Sequence, residues 1–228
     1  GHIYPAIAVA QALRKDETTK DIYYVGNPKN MEYEIVKKLK FKFLPIQVSG
    51  MPRKISFSFL KWGIELELAN WKALYYLWRF KPNAILGTGG YVSAPTLFAS
   101  NISKTPYMIH DCDAQPGIVS KFVAPMAKTV SLAFEDSAHN IKAQNIHVNG
   151  NPIREEFKTT TKEKAREHLG LENKTTICIM GGSQGAKSID NAAVEILKEI
   201  LIENILVMVE LLVKKKLIKI KVWLILVI

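Results

Sequence analysis

Residues 175–186 carry the most pointed chemical pattern in this chain. Thr175, Thr176, Ile177, Cys178, Ile179 and Met180 form a β-branched, apolar run that predicts a buried strand. Gly181, Gly182 and Gly185 break that run around Ser183 and Gln184, and from Ala186 the residues Lys187, Ser188, Asn191, Ala192, Ala193, Val194 and Leu197 have helical spacing. A strand that turns through glycines into a helix leaves unpaired backbone N–H groups at the positive end of the helix dipole. That arrangement holds a phosphate. Ser183 would add a hydroxyl donor in the same turn. The loop is neither a Walker A sequence nor a GxGxxG fingerprint. An ordinary tight strand-to-helix turn is the competing reading, and the local pattern leaves both open.

The elements that would position such loops follow from periodicity. Helices are expected over residues 6–13, 31–39, 59–80, 94–99, 117–124 and 162–169, and strands over 21–26, 43–48, 84–86, 107–110, 129–133, 146–148 and 175–180. Strands alternating with helices predict an α/β fold with a doubly wound parallel sheet. Ligands of such sheets lie beyond the carboxyl ends of the strands. The loops at residues 87–93, 110–117, 150–154 and 181–185 all fall there, and all are rich in Gly or polar groups. Residues 155–174 are charged and read as a linker before a second α/β unit.

Composition narrows the class. With 228 residues and 48% hydrophobic content the chain can bury a sizeable core. Its formal charge of +10 fits nucleic acid, a membrane surface or a phosphorylated substrate. No RNP-like, zinc-finger or helix-turn-helix signature favours nucleic acid. The two cysteines, Cys112 and Cys178, make neither a disulfide framework nor a metal cluster, and a cytoplasmic, reduced setting follows. No His/Cys/carboxylate cluster is read from the sequence, so no metal is expected, and no cofactor. From residue 205 onward only Ile, Leu, Val, Met, Glu, Lys and Trp occur, without turn chemistry. Glu210, Lys214, Lys215, Lys216, Lys219 and Lys221 interrupt this tail too often for a membrane span.

Four motifs, Gly1-His2-Ile-Tyr-Pro5, Gly87-Thr-Gly-Gly-Tyr-Val-Ser93, Gly150-Asn-Pro-Ile-Arg154 and Gly181-Gly-Ser-Gln-Gly-Ala186, resemble the MurG family in order and spacing over about residues 1–200. That resemblance implies a GT-B fold: an acceptor-binding Rossmann-like domain at 1–154 lacking its first strand, a linker at 155–174, and the start of a UDP-GlcNAc-binding domain at 175–204. Residues 205–228 match no part of the family pattern, which suggests a truncated or out-of-frame product with impaired activity. The implied reaction moves GlcNAc from UDP-GlcNAc to the C4 hydroxyl of lipid I, giving lipid II, with inversion and without a metal. The implied partners are UDP-GlcNAc, undecaprenyl-linked lipid I and the inner membrane surface, with the protein peripheral at its cytoplasmic face.

Residue by residue, the resemblance places substrate contacts at Gly1, Gly89, Gly90, Tyr91, Asp113, Arg154, Gly182, Ser183 and Gln184. Arg154 corresponds to an arginine near the UDP phosphates, a role that a fixed, always charged fork suits. Asp113 stands where the family has an asparagine, in His110-Asp-Cys-Asp113. Inverting transfer needs a base for the acceptor hydroxyl and positive charge for the leaving UDP. His2 and Asp111 are the candidate bases, against a loop-capping histidine and a turn aspartate. His110, after an apolar strand, reads as a packed strand-end residue. In the helix at 59–80, Trp62, Trp71, Tyr75, Tyr76, Trp78 and Phe80 accompany Lys61, Lys72 and Arg79. One face is expected to be core, while the loop at 51–60 and part of the helix contact the membrane. Two further classes stay open: another GT-B nucleotide-sugar transferase with a lipid acceptor, and a non-catalytic acceptor-binding fragment.

Overall fold

Helices and strands alternate through the first part of the chain, as the apolar periodicity requires. In order these are α1 (Ile3–Arg14), β1 (Tyr23–Gly26), α2 (Met31–Lys38), β2 (Lys42–Pro45), α3 (Phe57–Phe80), β3 (Ile85–Gly87), α4 (Ala94–Ser103), β4 (Tyr107–Asp111), α5 (Ile118–Val123), β5 (Thr129–Leu132), β6 (Ile146–Val148) and α6 (Glu155–Thr159). The structure, a computed structural model, describes residues 2–52, 57–173, 176–180, 186–200, 206–213 and 216–221. It divides into two units, Gly1–Thr159 and Thr160–Ile228.

All strand pairs of the first unit are parallel. β1 pairs with β2, and β3, β4, β5 and β6 lie side by side in chain order. The two sheets share no ladder, but one apolar cluster joins them. Ile46, Val48, Ala69, Ala73, Leu77 and Ala99 form it, with Val25 of β1 and Ile85 of β3 packed alongside. Tyr24, the residue before Val25, packs instead with Ala10, Val36 and Phe41 of another cluster. Neighbouring residues of a strand point to opposite faces, so helices cover both faces of β1. A third cluster seats Leu97 and Val123 of the helices on Ile109, Val130 and Leu132 of β4 and β5.

Two boundaries differ from expectation. The strand expected at 43–48 ends at Pro45, which has no N–H to extend a ladder. Ile46 N–H still reaches the Gly26 carbonyl at 2.8 Å, after which Ile46 and Val48 enter the core from irregular chain. β4 runs one residue further than expected, to Asp111, which pairs with Leu132.

In the second unit α7 (Lys162–Leu169) begins where the Thr161 hydroxyl accepts the Lys164 N–H at 3.3 Å and stops at Gly170, whose φ is +63°. β7 (Thr176–Met180) and α8 (Lys187–Ile200) follow, the strand and helix expected around the Gly181 loop. β8 (Leu206–Val213) pairs in parallel with β7, and β9 (Lys216–Lys221) runs antiparallel to β8. The tail without turn residues therefore contributes two strands. No described helix is long and apolar enough to cross a membrane.

Candidate functional site

The carboxyl ends of β3 and β4 meet the start of α1. His2 is the residue before α1, and its carbonyl accepts the Thr88 hydroxyl at 2.8 Å, which ties the helix start to the loop after β3. Gly89 and Gly90 follow with φ of +89° and +75°. The His2 ring lies against this glycine pair: a Cβ built on Gly89 would sit 3.0 Å from His2 Nδ1, and one on Gly90 3.3 Å from Cδ2. Only a residue without a side chain combines that backbone with so close a ring. The Gly89→Ala protein is therefore expected to lose about 1–3 kcal/mol in urea unfolding, from left-handed strain and displacement of His2. Gly63→Ala is the contrast. It lies inside α3 with open space around it, and should gain about 0.5–1 kcal/mol.

The loop after β4 is organised by Asp111. This residue is 1% exposed, its Oδ1 accepts the Asp113 N–H at 3.1 Å and its Oδ2 accepts the Gly117 N–H at 3.1 Å. Both carboxylate oxygens hold loop backbone, the role of a turn aspartate. Buried Ser137 braces the same loop from the other side, donating to the Asp113 carbonyl at 2.7 Å or to that of Ala114 at 3.1 Å. Cys112 and Asp113 are thereby held beside His2. Cys112 Sγ lies 3.4 Å from His2 Nδ1 and 3.8 Å from Asp113 Oδ1. Burial, then the negative charges of Asp113 and Asp111, push the Cys112 thiol above its ordinary range. The group is a neutral thiol near pH 7.

His110, buried at the end of β4, links three strand ends. Its Nδ1 meets Ser131 Oγ at 3.1 Å and its Nε2 meets Asn151 Oδ1 at 3.1 Å, while Asn149 donates to the same Ser131 oxygen at 3.2 Å. The residues after β6 are thus drawn toward β4 and β5. Gly150, with φ of +74°, turns the chain, and Arg154 follows. The Arg154 guanidinium carbon lies 4.7 Å from the Tyr4 ring centroid and 5.0 Å from that of Phe157. Stacking on ring faces leaves the in-plane N–H donors available. Among the described residues the Arg154 guanidinium has no hydrogen bond or ion pair.

The structure thus brings His2, Gly89, Gly90, Asp111 and Asp113 together. It places Tyr91 just beyond Gly90, exposed at the start of a short 3-10 turn, and Arg154 on Tyr4 of α1. Gly1, Gly182, Ser183 and Gln184 lie outside the described residues, as does part of the loop at 51–60. Sequence reasoning passed over Cys112 and Ser137. Cys112 is 110 residues from His2, so no spacing rule could pair them, and the absence of a His/Cys/carboxylate cluster read from the sequence does not hold in three dimensions: His2, Cys112 and Asp113 present ligand atoms within 4.8 Å of one another.

The parallel sheets, the glycine-lined helix start and the strand-end loops are those of a Rossmann-like α/β domain of the GT-B type. The glycosyltransferase family 28 N-terminal domain matches residues 1–132, and the chain belongs to that family. Its relatives include the UDP-N-acetylglucosamine–N-acetylmuramyl-(pentapeptide) pyrophosphoryl-undecaprenol N-acetylglucosamine transferase of Caldanaerobacter subterraneus subsp. tengcongensis, 40% identical over 200 residues, which are 87% of this chain and 55% of that protein. The same-named protein of Carboxydothermus hydrogenoformans is 35% identical over 205 residues, covering 89% of this chain and 55% of the relative. The chain spans about half the length of the curated relatives it matches. Among solved structures, Acinetobacter baumannii MurG superposes with a TM-score of 0.66 at 25% identity, over 91% of this chain and 57% of that one. UDP-GlcNAc 2-epimerase from Neisseria meningitidis, bound to UDP-GlcNAc, gives 0.58 at 16% identity over 90% and 62%, a likeness of fold alone.

Proposed function

We propose that this chain serves the transfer of GlcNAc from UDP-GlcNAc to the C4 hydroxyl of lipid I, giving lipid II with inversion, at the cytoplasmic face of the bacterial membrane. The relatives' names supply the substrates, and family 28 membership supplies the reaction class. The observation that carries the reading is the seating of His2 on the Gly89–Gly90 backbone with Nδ1 facing Cys112.

That contact selects a tautomer. The Cys112 S–H donates toward Asp113 Oδ1, so Sγ accepts from His2 Nδ1–H and Nε2 keeps its lone pair. In the neutral ring Nε2 can then take the acceptor hydroxyl proton as the oxygen attacks the anomeric carbon and the bond to UDP breaks. Asp111 works by holding the loop that holds Cys112. Arg154, with its N–H donors available, suits the developing negative charge on the leaving diphosphate. The family resemblance separately assigns Gly182, Ser183 and Gln184 to substrate binding.

Calorimetry with UDP-GlcNAc tests the donor half of this reading. Binding by this chain should weaken about 10- to 100-fold in Arg154→Ala, the range for one charged hydrogen-bonding group. Equal affinity in the two proteins removes Arg154 from the diphosphate site.

The membrane half is supported by α3. Ala69, Ala73 and Leu77 face the core, whereas Phe57, Leu60, Ile64, Leu68, Trp71, Tyr75 and Trp78 are exposed. At 3.6 residues per turn those seven fall within an arc of about 80°, with Lys61, Lys72 and Arg79 along one margin. An apolar stripe beside a basic margin suits insertion at the surface of an anionic bilayer. Glu65 and Glu67 oppose that attraction: Glu65 is engaged, accepting from the N–H and hydroxyl of Ser49, whereas Glu67 is exposed on the other margin of the stripe.

A further inference from the structure

We propose that His2, Cys112 and Asp113 form a binding site for one thiophilic divalent cation of the zinc class. The donor set is an imidazole nitrogen, a thiol and a carboxylate, with ligand atoms mutually within 4.8 Å. Zinc bonds of about 2.0–2.3 Å in tetrahedral geometry put neighbouring donors about 3.4–3.6 Å apart. The two separations known here are 3.4 Å for Nδ1 to Sγ and 3.8 Å for Sγ to Oδ1. The cluster needs only small side-chain adjustments to close on an ion.

The surroundings favour this use. Asp111 and Ser137 pin the backbone that bears two of the ligands, so ordering these ligands loses little entropy on binding. Gly89 leaves open the space beside Nδ1 that a side chain would fill, since its Cβ would lie 3.0 Å from that atom. Asp113 is exposed and gives solvent access, so water can complete the fourth position. Binding is balanced by release of the Cys112 thiol proton to solvent and by a shift of the imidazole proton from Nδ1 to Nε2. The bound thiolate and carboxylate then neutralise the ion's two positive charges.

One consequence rests on the function proposed above. With its proton on Nε2, His2 cannot act as base, so a bound cation and sugar transfer exclude each other. The site itself is independent of that reading and is tested without any sugar substrate. Untagged protein carrying Cys178→Ser, whose one remaining thiol is Cys112, is titrated anaerobically with Co²⁺. Expected are one ion per chain, a near-ultraviolet sulfur-to-cobalt charge-transfer band and its reversal by Zn²⁺. Cys112→Ser in that background should abolish the band, and Asp113→Asn, at an exposed position, should weaken binding at least about tenfold. Absence of the band in the Cys178→Ser protein, or its persistence after Cys112→Ser, overturns the proposal. Equal Co²⁺ affinity in folded Asp113→Asn does the same for the carboxylate ligand.

Discussion

Replacement of Asp111 by alanine is expected to destabilise the first unit by about 2–4 kcal/mol, because two loop N–H groups lose a charged acceptor. For a unit of this size the thermal midpoint should fall by about 4–16 °C. Asp111→Asn keeps one carbonyl oxygen but turns an amide NH₂ toward the other N–H donor, so it should also destabilise, to a lesser degree. Thermal and urea unfolding of the three proteins separate the two roles open to this residue. A general base tolerates the isosteric amide in the fold and loses only turnover, whereas a loop organiser loses stability first. Unfolding of Asp111→Asn indistinguishable from the parent would return Asp111 to the catalytic candidates. Its 1% exposure favours the organising role, since a base must reach its substrate.

The second large effect is expected at the membrane. Trp71 and Trp78 are 64% and 71% exposed, and each offers about 100 Å² or more of ring surface to a lipid phase. At about 25 cal/mol per Å², and with half of that area inserted, each contributes about 1.2 kcal/mol to partitioning. Trp71→Ser and Trp78→Ser should each weaken binding to anionic vesicles about tenfold, and the double variant about a hundredfold. Their unfolding should change by no more than about 0.5 kcal/mol, since neither ring is buried in the core. Sedimentation with vesicles provides the measurement. Vesicle binding unchanged in the double variant would move the membrane contact off α3. If loss of the rings instead abolishes self-association without vesicles, the stripe is a protein interface. Raising salt should weaken binding to anionic vesicles through Lys61, Lys72 and Arg79, and leave binding to neutral vesicles nearly unchanged.

Much of this protein was legible without coordinates because the information is local. Apolar periodicity alone placed β1, α3, β4, α7 and β7 within a few residues, since a strand or helix writes its own repeat into the chain. Alternation of those repeats required a parallel α/β fold, and the glycine-rich segments marked the carboxyl ends of strands where ligands bind. The aromatic and basic residues of α3 also predict one core face and one part in contact with the membrane. Only packing decided which face is buried: Ala69, Ala73 and Leu77 are small enough to lie close against the sheet, which leaves Trp71, Tyr75 and Trp78 outside.

What tertiary structure alone decided is every relation between residues far apart in the chain. His110 reads as a strand-end histidine in sequence, yet its two nitrogens join β5 to the turn after β6. Asp111 could equally have been base or brace until its two oxygens were found on loop amides. The meeting of His2 with Cys112 and Asp113 has no signature at all, because parallel strands bring to one sheet edge residues that the chain keeps more than a hundred positions apart. Periodicity reports how a segment faces its neighbours. The register of one strand against another is fixed by burial and hydrogen bonding across the sheet, and those energies belong to the assembled fold.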